Sequence, residues 1–198
     1  MELNAIPGAG RYKLNVIYFI GNDREPIPGY RRRLSELLLY LQQFYGKEMA
    51  RNGFGFRSVA LPMDSNGEVD ITLVRGKRPA CEYTNSEQAA IACLEELDAY
   101  YQEHPEQRRS GHRLIIMPTQ NNAEFNDSNP GGVPVFGMGH DCFTLDYADL
   151  DLQHLGAQTD RGLLLTKMFG GFAHELGHCM ALPHNNGPVS ELKKLALP

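Results

Sequence analysis

The spacing of apolar residues changes period several times along the chain and so marks out its elements. Tyr12 to Ile20 alternates and then becomes wholly apolar, the pattern of a strand buried on both faces. From Tyr30 to about Arg51, apolar residues recur at Leu34, Leu37, Leu38, Leu41, Tyr45 and Met49, a helical stripe facing a core. Asn52-Gly53 ends that helix. Phe54 to Leu61 reads as a second strand, and the alternating Val69 to Arg75 as a third. Thr84-Asn-Ser-Glu87 has capping-box form and opens a helix to about Gln102, with Ala90, Leu94, Leu97 and Tyr101 inward. Leu114 to Met117 is a fourth strand, stopped by Pro118. The polar stretch 119–134 is longer than an ordinary connection. Val133 to Met138 is a fifth strand, which Pro134 confines to an edge, where an extended peptide can add by main-chain pairing.

A third helix is expected from Arg161 or Gly162 to about Leu182. At 100° per residue, Leu165, Phe169, Phe172, Leu176, Cys179 and Met180 share one side. Lys167, Gly170, Gly171, His174, His178 and Ala181 share the other. One side is core and the other opens on a cleft. Gly170 and Gly171 admit two readings, room for a close-approaching chain or merely tight packing.

Composition changes this picture little. The 198 residues, 42% hydrophobic and 22% charged, fit one globular domain over 1–198. A net charge of −5 and a pI near 5.8 argue against nucleic acid as a partner. No apolar run approaches the ~20 residues of a membrane span. The first residues, Met1 to Gly8, have neither a basic nor an apolar signal region. The four cysteines form no CxxC pair, and spacing does not support a Cys81–Cys93 bridge. The run Arg31-Arg32-Arg33 reads as a solvated helix face, and Asp146, Asp149, Asp151 and Asp160 as a solvated acidic loop without EF-hand spacing. His140, Asp141 and His154 raise a second metal site, but ordinary surface histidines are the better reading.

The chemistry concentrates in His174-Glu-Leu-Gly-His-Cys-Met-Ala-Leu-Pro-His184. His174 and His178 lie one turn apart on the same helix face, so both imidazoles reach one ion at the ~2.0–2.1 Å that zinc requires. Pro183 keeps His184 off the helix, so the chain can turn and return a third imidazole. Three neutral ligands leave the fourth position to water, whose pKa zinc lowers toward ~7. Glu175 follows the first ligand and stands where a general base would take the proton of that water. Such a set of three histidines and a glutamate arises by chance in fewer than about one chain in a thousand of this composition.

The segment resembles the metzincin metallopeptidases, His-Glu-x-x-His-x-x-Gly-x-x-His with a Met-turn, and His-Glu-Leu-Gly-His is especially like the matrixins. The resemblance implies an α+β domain with a five-stranded twisted sheet, an antiparallel edge strand lining the cleft, and a secreted or extracytoplasmic zinc endopeptidase acting on protein or peptide. Here an active-site helix and two further helices are expected. Two departures stand out. Ala181 replaces a glycine whose positive φ costs alanine on the order of 1 kcal/mol. No methionine follows His184, so the chain is either truncated or a shortened relative. Two competing readings remain: a thermolysin-like site with Glu191 as third ligand, and a non-catalytic metal-binding or adhesion module.

Overall fold

The apolar run Asn15–Ile20 forms β1, and all six of its residues are buried because helices cover both faces of the sheet. The computed structural model describes residues 13–120, 125–126 and 129–182. The helical stripe becomes α1, Tyr30–Arg51, closed by Asn52 and by Gly53 at φ 86°. β2 is Thr72–Arg75, α2 is Glu87–Glu103 and β3 is Arg113–Pro118. Two two-residue strands, β4 (Phe125–Asn126) and β5 (Asn129–Pro130), pair with each other. The edge strand β6 (Gly137–Met138) and β7 (Asp141–Asp146) then lead into α3, Asp160–Cys179.

The main sheet has the order β2-β1-β3-β7-β6. The first four strands run parallel and β6 runs antiparallel to β7. This is the α+β fold with three long helices that the sequence leads one to expect. The crossovers β1-α1-β2 and β2-α2-β3 travel in opposite directions, so their common right hand puts α1 and α2 on opposite faces. Successive β1 side chains confirm it: Tyr18 stacks on Tyr30 of α1, and Phe19 meets Tyr83 just before α2. α3 shares the α1 face, where Phe169 meets Tyr40 edge-on at 5.6 Å.

Several element assignments need correction. Residues 54–61 are not a strand. Phe54 and Phe56 are exposed, and the segment is tied beside α1 by bonds from Gln42 Nε2 to the Val59 carbonyl and from Ser58 Oγ to the Gln42 carbonyl. The strand that completes the five in its place is β7, which pattern reading passes over because only Cys-Phe-Thr-Leu separates two aspartates. The capping box is displaced: Ser86, not Thr84, caps α2, accepting from the Ala89 N–H. All four cysteines are free.

The charges also depart from expectation. Only Arg31 and Arg32 of the basic run are exposed, whereas Arg33 is 4% exposed and Asp146 is fully buried. Arg33 clamps both oxygens of Asp146 at 2.9 and 3.2 Å and donates to the Tyr147 and Leu150 carbonyls. The Tyr18 hydroxyl donates to Asp146 Oδ2 at 2.8 Å, and burial, aided by that carboxylate, holds the hydroxyl above the ordinary tyrosine range. Asp151, the other buried acid of the supposed loop, is paired with Arg32. Pairing is what makes this burial tolerable.

Asp146→Ala leaves the Arg33 guanidinium buried without its partner and should destabilise the fold by about 3–5 kcal/mol in urea unfolding. Arg51→Ala, which removes the exposed pair with Glu48, should cost under about 1 kcal/mol. Similar small losses for both would show that the buried pair does not hold the sheet to α1.

Candidate active site

α3 begins at Thr159, whose hydroxyl accepts the Gly162 N–H at 3.2 Å. Leu165, Phe169, Phe172, Leu176 and Cys179 are buried, the core side read from the sequence. From α1, the Tyr45 hydroxyl donates to the Ala173 carbonyl. The helix is thus held from beneath, with His174 exposed and Glu175 and His178 half-buried. A Cβ on Gly170 or Gly171 would meet nothing within 4 Å, so close packing does not account for these two glycines.

His174 Nε2 and His178 Nε2 converge to 3.0 Å. Two nitrogens bound to one tetrahedral zinc lie about 3.3 Å apart, so this pair fits the ion. The helix ends one residue past His178, earlier than the periodicity implies, and a Schellman turn closes it. The Ala181 N–H donates to the His178 carbonyl at 2.8 Å, and the Leu182 N–H to that of Gly177 at 3.0 Å. Ala181 takes φ 61°, the left-handed geometry expected of the glycine it replaces, and it is the one non-glycine residue in that region among those described. The turn carries the Leu182 carbonyl back to His178 Nδ1 at 2.9 Å. A carbonyl partner assigns the proton to Nδ1 and leaves the Nε2 lone pair facing His174.

Glu175 reaches across to the edge strand, where its Oε2 accepts the Gly137 N–H at 2.7 Å. Because Phe143 donates to the Phe136 carbonyl, Phe136 faces β7, and alternation turns the main-chain groups of Gly137 to the open side of the sheet. The carboxylate therefore sits on the line that an added strand would take. Residue 137 must be small. A Cβ there would lie 3.1 Å from His178 Cβ, 3.3 Å from the Glu175 carbonyl and 3.4 Å from Glu175 Oε2. Past Gly137 a cleft of about 400 Å³ opens between Phe136, Gly137 and Met138 and the start of α2 at Asn85, Ser86 and Glu87.

His174, Glu175 and His178 are thus brought together, while His184 and the alternative Glu191 lie outside the described residues. Among the described residues no three His, Cys, Asp or Glu side chains are grouped to hold a metal, so a complete ligand set would need a residue from outside them, such as His184 or Glu191. The second metal site is not formed there either. Asp141 is clamped by Arg113 at 2.6 and 2.9 Å, the His140 ring packs on His112, and His154 sits in a separate short turn, Leu152–His154. Sequence reading misses Gly137, since only the edge position and a flanking Gly139 hint at it.

No family model matches the chain, and no curated protein does. Solved structures do. Two crystal structures of wild-type OgpA from Akkermansia muciniphila superpose with TM-score 0.86 and 50% identity, covering 96% of this chain and 54% of that one. The chain is similar to OgpA over nearly all its length. It spans about half of that protein. A third structure, catalytically inactive OgpA in complex with an O-glycopeptide substrate, glycodrosocin, matches equally at 49% identity. Among the described residues, no helix is long and apolar enough to cross a membrane.

Ala181→Gly keeps the turn and removes the strain of a left-handed alanine. We expect roughly 1 kcal/mol of added stability, about 2–4 °C in Tm for a domain of this size. An unchanged or lower Tm by calorimetry would mean that the turn carries no strain at Ala181.

Proposed function

We propose that this chain is a zinc-dependent endopeptidase in which His174, His178 and His184 hold the metal and Glu175 is the general base. The observation that carries the reading is the convergence of both Nε2 atoms beside a carboxylate on the open sheet edge. When bound, zinc would supply an activated water and polarise the carbonyl to be cleaved. His178 keeps its ring orientation through the Leu182 carbonyl, so its Nε2 is presented without rotamer search. Glu175 takes a proton from the attacking water and passes it to the departing amine. β6 binds the substrate as an added strand, which places a main-chain carbonyl near Glu175.

The OgpA complex with an O-glycopeptide supports the same substrate class here, a peptide with sugar on a Ser or Thr oxygen. It also favours a catalyst over the non-catalytic module. Both the activity and the substrate are extended to a chain that spans about half of OgpA.

Metal analysis should find about one zinc per chain. Glu175→Gln should keep that zinc and lose hydrolysis of an O-glycopeptide by at least about a hundredfold, the usual scale of a lost general base. His184→Ala should lose the zinc. Zinc stoichiometry and affinity unchanged in His184→Ala would overturn the three-histidine assignment. Gly137→Ala, which pushes β6 off α3, should lower kcat/KM while retaining zinc; full activity would remove the Gly137–Glu175 bond from the mechanism.

A further inference from the structure

We propose that the chain carries a second binding site, for a free amino acid with an apolar side chain, at the carboxyl ends of β1 and β3. The site is independent of the peptidase reading and lies at the other end of the sheet. Gly137, which holds Glu175, pairs with Cys142 near the amino end of β7, whereas Pro118 pairs with Asp146 at its carboxyl end.

Strand order reverses between β1 and β3. The chain leaves β1 for β2 on one side, then crosses back to β3 on the other. At such a point the outgoing loops part and leave a crevice, the usual ligand position in open parallel sheets. A cavity of about 230 Å³ lies there. It is lined by Arg24, Glu25 and Ile27 after β1, by Ala80 after β2, and by Pro118, Thr119 and Gln120 at the end of β3. Both walls are held in place. Arg75, the last residue of β2, reaches the two Glu25 oxygens at 3.1 and 3.3 Å and donates to the Arg24 carbonyl. Opposite, Gln120 Nε2 donates to the Ala80 and Tyr83 carbonyls, and the Thr119 N–H donates to that of Asp146. The crevice is thus formed before any ligand arrives, which lowers the cost of binding.

The lining combines three kinds of group. The Arg24 guanidinium makes no ion pair among the described residues, and its planar fork matches a carboxylate. Glu25 offers an acceptor to an ammonium group, and Ile27, Ala80 and Pro118 offer apolar surface. Thr119 adds a hydroxyl oxygen that is buried without a hydrogen-bond partner among the described residues, a costly state. One χ1 step exchanges that oxygen with the methyl on the same carbon, so an occupant can supply the missing partner. A bare metal ion would face Arg24. An inorganic anion would face Glu25 and leave the apolar wall uncovered. An apolar amino acid answers all three, with its carboxylate on Arg24, its ammonium on Glu25 and its side chain on Ile27 and Pro118. The cavity is smaller than the ~300–1,000 Å³ of drug-sized sites, which holds the occupant to about this size.

The test uses leucine beside two analogues, leucinamide, which lacks the carboxylate, and isocaproate, which lacks the ammonium group. Binding of each to the purified chain is measured by calorimetry. Leucine should bind at least about tenfold tighter than either analogue. Arg24→Gln, at an exposed position, should stay folded and bring leucine to within about threefold of leucinamide. Thr119→Val should weaken leucine by about threefold or more while leaving the Tm of the free protein unchanged or higher, because it removes an unsatisfied hydroxyl. A lower Tm with unchanged leucine affinity in Thr119→Val would overturn the site, as a purely structural hydroxyl behaves that way. Absence of leucine binding, or equal binding of all three compounds, would overturn it too. Leucine affinity that survives Arg24→Gln would place the ligand elsewhere, a bound metal included, with the same result.

Discussion

The clamp of Arg33 on Asp146 is the interaction on which the rest of the arrangement depends. Asp146 ends β7, and the chain then passes through the short turn Leu152–His154 to α3. Arg33 stands near the start of α1. Tying the two together, and binding the Tyr147 and Leu150 carbonyls as well, sets where the chain leaves the sheet and so where α3 can start. Burying two charges costs several kcal/mol each, and only complete pairing offsets it. The Tyr18 hydroxyl and four Arg33 bonds provide that completeness.

α3 is then held at three points, and each contributes to the candidate site. Tyr45 fixes its back at Ala173, the residue before His174. The Schellman turn fixes its end and, through Leu182, the ring of His178. Gly137 fixes Glu175 against the sheet edge. The candidate ligand, base and substrate strand are thus coupled by main-chain groups, which side-chain substitution elsewhere cannot easily disturb. The left-handed Ala181 shows the strength of this coupling, because the turn persists at a cost that glycine would not incur.

The periodic elements are legible to different degrees. α1 matches its apolar stripe almost to the residue, since a long amphipathic pattern ended by Asn-Gly has few alternatives. β7 is illegible because its bounding aspartates look like loop residues until Arg113 and Arg33 are placed beside them. The segment 54–61 misleads the other way. Its aromatic residues suggest a strand, yet Gly53 and Gly55 both take positive φ and Phe56 lies over Gly46 of α1, leaving no ladder partner. The basic run misleads for the same reason as β7, as burial of a charge is decided by a partner more than a hundred residues away.

By itself the sequence determined the two histidines on one helical face with the glutamate beside the first, the position that needs a left-handed turn, and the α+β class. These follow from local spacing, and local spacing survives folding because helix geometry is the same everywhere. Only the tertiary structure decided that Glu175 meets Gly137, that the edge strand turns that glycine outward, and that a cleft opens there toward α2. Those facts join residues tens of positions apart, through strand order and register, which no short-range pattern encodes.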